Sequence, residues 1–160
     1  MRDSAGRPFL LFTVILASLT CPAHALYPRI ERLHPSDPLF TQLQGDLQNY
    51  YRAVPRQAEL PPLLVFEYAM DEEESLFSAS ARLGLPYAGI APLNGIDNAR
   101  LGADRDVLLV PNQPGVFVPE SPQTELEQAL FERFSDNTTD ARNLRVIVDG
   151  QVREFSFYPG

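Results

Sequence analysis

The stretch from Phe66 to Asn112 reads FEYAMDEEESLFSASARLGLPYAGIAPLNGIDNARLGADRDVLLVPN, and the fold turns on how it divides. Its first residues complete LLVFEY, Leu63 to Tyr68, an apolar and aromatic run with Glu67 as the one interior charge, which is the composition of a strand. A charged turn, Asp71 to Glu74, follows. Ser75 can then cap a short helix in which Leu76, Phe77, Ala79, Ser80 and Leu83 recur at helical spacing until Gly84 closes it. Acidic residues just ahead of a helix suit the positive end of its dipole, so DEEE reads as a solvated lead-in. Pro86 opens a second, shorter helical piece that contains Pro92 and stops at Asn94-Gly95. Residues 96–106 read as loop with Leu101 as a buried plug, and Val107 to Val110 form a compact apolar strand stopped by Pro111. The expectation is strand, helix, helix, strand.

Toward the N-terminus, Ser36-Asp37-Pro38 is a helix start: either Ser36 or Asp37 can accept from free backbone amides, and Pro38 needs no partner. Leu39, Phe40, Leu43, Leu47, Tyr50, Tyr51 and Val54 then follow at helical spacing, giving one amphipathic helix of about sixteen residues that Gly45 weakens without ending. Pro55 and Pro61-Pro62 mark a linker into the central stretch. Toward the C-terminus an acidic helix spans Thr124 to Phe134, and Asp149-Gly150 makes a two-residue hairpin turn between Arg145–Val148 and Gln151–Phe157.

The first twenty-five residues have the form of a secretory signal. Arg2 and Arg7 precede an apolar run from Phe9 to Leu19, and Ala23-His24-Ala25 supplies the cleavage motif, so cleavage is expected after Ala25. The run is far shorter than the roughly twenty residues of a permanent span. Ser18-Leu19-Thr20 is a poor lipobox, which argues against lipid anchoring at Cys21. Cleavage removes Arg2, Arg7 and Asp3, a net loss of one positive charge, and takes the chain from −8 to −9. So acidic a surface argues against nucleic acid and anionic membrane as partners.

Cys21 and His24 leave with the signal, so the mature chain holds one imidazole, His34, and no thiol. That excludes disulfides, and it leaves too few ligands for a structural zinc, which takes about four Cys or His, or a catalytic one, which usually takes two or more His. His34 lies in HPSDP, which reads as the exposed turn opening a helix rather than as a member of a catalytic triad. Four neighbouring carboxylates, Glu72, Glu73, Glu74 and Asp97, lack the contrast of environments that glycosidase chemistry needs. Neither a catalytic residue nor a metal ligand nor a cofactor is expected.

The residues Tyr68, Met70, Ser75-Leu76-Phe77-Ser78, Ala81, Gly84-Leu85, Leu93-Asn94-Gly95, Leu101, Leu108 and Val110-Pro111 follow a known signature in order and spacing. The chain here resembles a LysM domain over about fifty residues. The resemblance implies an α+β fold with a βααβ core, and a shallow groove that binds the N-acetylglucosamine-containing glycan of peptidoglycan. Carried over position by position, the groove residues are Glu74, Ser75, Leu76, Phe77, Leu93, Asn94, Gly95 and Ile96. Where the family has Gly-Asp-Thr this chain has Glu73-Glu74-Ser75, and Arg105-Asp106 stands for its Gly-Gln pair.

Beyond Asn112, PNQPGVFVPES, the acidic helix and RVIVDGQVREFSFYPG look like the region joining a LysM module to an M23-type metallopeptidase domain in spirochaete-like cell wall hydrolases. The H-x-x-x-D and H-x-H motifs of such a peptidase do not occur in this sequence. The resulting division is a signal peptide at 1–25, a helical segment and linker at 26–62, a LysM-like domain at 63–113, and a linker helix plus hairpin at 114–160. The expected role is noncatalytic: an exported, periplasmic or envelope protein that targets peptidoglycan or a hydrolase subunit, with the N-terminal helix and a sheet edge at Arg145 to Phe157 as docking surfaces. The alternative is a protein interaction scaffold, or a remnant, that no longer binds glycan. Phe77, Tyr87 and Phe117 are the aromatics that could stack on sugar rings.

Overall fold

Strand β2 (Val65–Ala69) and strand β3 (Val107–Pro111) pair antiparallel, with Phe66 opposite Val110 and Tyr68 opposite Leu108, in a computed structural model that describes residues 27–71, 74–97, 107–136 and 141–160. The signal-like first twenty-five residues, Glu72, Glu73, Leu101 and Arg105-Asp106 lie outside the described residues. Between the two strands run helix α2 (Leu76–Leu83), the single turn α3 (Tyr87–Ile90) and a 3-10 turn at Pro92–Asn94. Ser75 caps α2 with its hydroxyl, and Gly84 ends it in the left-handed region at φ 73°.

The chain is mixed α+β, with four α-helices and two three-stranded sheets among the described residues. Helix α1 (Pro38–Ala53) precedes the central pair and helix α4 (Glu125–Phe134) follows it. Asp37, not Ser36, is the α1 cap: one carboxylate oxygen accepts from the amides of Leu39 and Phe40, and the other from those of Glu31 and Arg32. The segment before the helix is thereby folded back onto its first turn, and it adds strand β1 (Arg29–Ile30), parallel to β2. Two residues of strand are too few for any periodicity to announce.

The central pair is buried on both faces. Phe66, Tyr68, Leu108 and Val110 face a core shared with Leu43 and Leu47 of α1, Leu76, Ala79 and Leu83 of α2, and Ile90. Val65 and Leu109 face the other way, into a second core with Leu93, Phe117, Val146, Val148, Phe155 and Phe157. Alternation along a strand sends successive side chains to opposite faces, so a strand covered on both sides reads as an unbroken apolar run, as VLLV does.

The second core is closed by a sheet in the order β4-β6-β5, made of β4 (Gly115–Pro119), β5 (Arg142–Val148) and β6 (Gln151–Pro159). Asp149 and Gly150 both have positive φ, 50° and 76°, the conformation that a two-residue hairpin requires. The expected open edge from Arg145 to Phe157 is corrected in its second half: β5 is an edge strand of the sheet, but β6 is the central strand, and β4 pairs along it from Gly115 opposite Pro159 to Pro119 opposite Phe155. The GVFVP segment becomes a strand because Gly115 leaves room that a side chain would fill: a Cβ there would collide with the Phe157 ring and the Tyr158 carbonyl. A Cβ on Gly89 would lie 2.8 Å from the Gly115 carbonyl, so α3 also meets β4 backbone to backbone. The N-terminal helix is likewise not a free docking face on its apolar side: Leu43, Leu47 and Tyr50 are buried, and the Tyr50 hydroxyl donates to the Gly160 carbonyl at 2.5 Å.

On the far side of β3 from β2, the backbone of Leu109 would be left bare. Asn94, 1% exposed, fills that place: its Oδ1 accepts from the Leu109 amide at 2.7 Å, and its Nδ2 donates to the Leu109 and Ile90 carbonyls, each at 2.8 Å. A side-chain amide here does the work of a neighbouring strand's peptide group. Replacing Asn94 by Leu keeps the volume but leaves buried backbone groups unpaired, at about 1–3 kcal/mol for each one stranded. We expect Asn94→Leu to lower the urea midpoint by an amount matching at least that loss, with an unchanged denaturant slope.

Candidate functional site

The groove residues that the resemblance implies fall into two sets. Leu76 and Leu93 are fully buried, Ile96 nearly so, and Asn94 is spent on Leu109, so these four hold the fold rather than present side chains to a ligand. Gly95 is half-buried at φ 62°, ending the 3-10 turn in the left-handed region, and the Arg153 guanidinium closes in beside it. Ser75 is exposed, with its hydroxyl accepting from the Ser78 amide at 3.1 Å.

Phe77 is the residue that stands out from this surface, 58% exposed on the first turn of α2. Its ring stacks on that of Tyr87, with centroids 5.3 Å apart and planes 27° from parallel, which ties α2 to α3 and leaves much of the Phe77 ring to solvent. Tyr87 is half-buried against the helical core. Burial and the nearby Asp97 carboxylate hold its pKa above the ordinary tyrosine value, so the hydroxyl keeps its proton. Asp97 is exposed and accepts from the amide of Leu126, which fixes the start of α4 beside this face. Phe117, the third aromatic considered, is a core residue packed on Phe157 at 4.7 Å.

Glu74 does not sit on a solvated acidic turn. Its side chain is 4% exposed, accepts from the Tyr68 hydroxyl through one oxygen, and takes a 2.8 Å ion pair from Arg82 through the other. Arg82 is eight residues away on the last turn of α2, so the pair straps the loop to the far end of the helix that the loop begins. No sequence pattern signalled this, because the three partners come from a strand, a loop and a helix end. Burial, and next the hydrogen bond to the Glu74 carboxylate, raise the Tyr68 pKa well above its ordinary value.

A flat apolar ring, a protonated tyrosine hydroxyl and a carboxylate acceptor together suit a ligand with one apolar face and several hydroxyls. Among the described residues no group of three or more His, Cys, Asp or Glu is placed to hold a metal, and no helix is long and apolar enough to cross a membrane. No family model matches the chain, and none of the curated proteins or solved structures matches it either.

The Tyr68 shift sets a pH dependence. Its folded pKa lies above the unfolded value near 10, so the folded state holds the proton more tightly, and stability is full below that pH and falls as pH rises through it. Tyr50 and Tyr87 shift in the same direction. Urea midpoints measured between about pH 8 and 11 should fall at the alkaline end. Tyr68→Phe should flatten that fall while lowering stability near neutrality by the lost hydrogen bond to a charged acceptor, about 1.5–3 kcal/mol.

Proposed function

We propose that the chain is an exported, noncatalytic binding protein of the cell envelope, whose LysM-like βααβ unit holds peptidoglycan glycan against Phe77. The observation that carries the reading is the Phe77–Tyr87 stack, an exposed aromatic platform with Asp97 beside it, on helices strung between two antiparallel strands. A pyranose lays its axial C–H face on such a ring, and its hydroxyls reach the flanking polar groups. On this reading its chemistry is binding, with the Asp97 carboxylate as a hydrogen-bond acceptor for a sugar hydroxyl.

The signal-like first twenty-five residues and the acidic composition agree with a place outside the cytoplasm and away from nucleic acid. The resemblance of the region beyond Asn112 to the linkers of cell wall hydrolases supports the role: a unit that keeps something near the wall, with a separate catalytic chain or domain as its partner.

Purified peptidoglycan incubated with the protein and sedimented tests the reading. The protein should co-sediment at low salt and be released by soluble GlcNAc oligomers, and Phe77→Ala should weaken retention about tenfold, the loss of one stacking partner. Because Phe77 is exposed, the variant should remain folded, with stability lowered only by the lost stack on Tyr87, about 0.5–1.5 kcal/mol. No retention, or retention indifferent to GlcNAc oligomers, sinks the glycan reading.

A further inference from the structure

A second hollow, of about 590 Å³, lies between the loop ahead of α1 and the end of α2, and is lined by Glu31, Arg32, His34, Asp71, Tyr68 and Arg82 among others. Its walls are fixed. The four amide bonds to Asp37 hold the loop from Glu31 to Asp37, and Ser36 donates its amide to His34 Nδ1 at 3.1 Å. An accepting Nδ1 puts the neutral ring's proton on Nε2, making that edge of His34 a donor. Tyr68, 1% exposed, and the Glu74–Arg82 pair complete the inner side.

Half of the formally charged residues lining it are already matched. Glu31 pairs with Arg29 at 3.2 Å, and Arg82 with Glu74. Two are not: among the described residues the side chains of Arg32 and Asp71 have no hydrogen bond or ion pair, though both line the hollow. One uncommitted guanidinium and one uncommitted carboxylate stand around a cavity with a buried polar wall, in a chain whose net charge of −8 would otherwise repel anions. A lone anion would find Asp71 against it, and a lone cation would find Arg32. A zwitterion meets both.

We propose that this hollow is a binding site for a small zwitterion, a free amino acid or dipeptide. Its carboxylate is held by Arg32 with the Nε2 edge of His34, and its ammonium by Asp71. The guanidinium fork takes a carboxylate through two parallel N–H bonds, which a single ammonium side chain cannot do. The volume lies within the range of small-ligand sites. The site is independent of the aromatic face, and its occupation needs no glycan.

Titration of the full chain with L-alanyl-L-alanine by NMR, following the His34 ring protons and backbone amides of residues 31–36, tests the proposal. Saturable shifts with a Kd of about 1 mM or tighter are expected. The N-acetylated dipeptide and the dipeptide amide, each missing one charge, should both bind about tenfold more weakly. Arg32→Gln and Asp71→Asn should each do the same without altering the fold, since neither side chain supports it. No shifts at about 10 mM dipeptide, equal binding of either blocked form, or unchanged binding by both variants overturns the proposal.

Discussion

A two-stranded ladder buried on both faces must dispose of every backbone group along its margins, and in this protein that requirement organises everything else. On the β2 side the parallel β1 closes the margin, with the Glu67 amide donating to the Pro28 carbonyl at 2.9 Å. On the β3 side no strand is present and the Asn94 side chain stands in for one, while Asn112 closes the end of the β2-β3 ladder. Asn94 takes both backbone groups of Leu109. Asn112, fully buried, exchanges bonds with Leu64, its Oδ1 accepting from the Leu64 amide while its own amide donates to the Leu64 carbonyl. Its Nδ2 then reaches the Pro62 carbonyl and Asp46 of α1. Unpaired, each of these groups would cost about as much as a lost hydrogen bond. The brevity of α3 follows: Asn94 must come down beside Leu109 while still bonded to Ile90, and a longer helix would carry it past.

The same requirement explains what could be read from the sequence and what could not. Features encoded within a few residues were legible: the Ser75 cap, the Gly84 stop, the sixteen-residue α1, and the Asp149-Gly150 turn. The strand-helix-helix-strand order was legible too, because each piece carries its own period and its own stop. Features that depend on a distant partner were not. LLVFEY begins two residues earlier than β2 does, since Leu64 spends its bonds on Asn112 rather than on a ladder. Pro111 was read as ending β3 and instead belongs to it, because its nitrogen faces the margin that lacks a strand and no ladder bond is lost. Strand β4 was hidden between prolines, and only β6 makes it a strand. In the candidate site, Phe77 is exposed as a binding residue needs to be, whereas Leu76, Leu93 and Asn94 share its signature for reasons of packing.

The ion pair of Glu127 and Arg153 takes two charges out of water, and its placement gives the reason for it. Glu127 is 0% exposed and its Oε2 accepts from Arg153 at 2.9 Å and from the Gln123 amide at 2.7 Å, while Arg153 lies 5.1 Å over the Phe155 ring. Thr124 caps α4 by accepting from the Glu127 amide, so the carboxylate that reaches Arg153 belongs to the helix's first turn. Desolvating two charges is expensive, and removing one partner alone would strand the other. Such a pair contributes geometry more than stability. It sets α4 in one position against the second sheet, and since the arginine also abuts Gly95 it links that sheet to the turn ending the helical connection.

Glu74 occupies the corresponding position on the opposite flank, between the aromatic face and the polar hollow. Its backbone leads directly into Ser75 and the α2 turn that displays Phe77, while its carboxylate is held by Tyr68 and Arg82, both of which line the hollow. A shorter side chain there could not span from the loop to the end of α2. The strap uses part of the Arg82 guanidinium and fixes the rest, which leaves the electrostatic balance of the hollow to the two groups without partners, Arg32 and Asp71. A change at Glu74 therefore reaches both surfaces, loosening the turn beneath Phe77 and freeing the Arg82 guanidinium that lines the hollow. A change at Phe77 or at Arg32 reaches only its own surface.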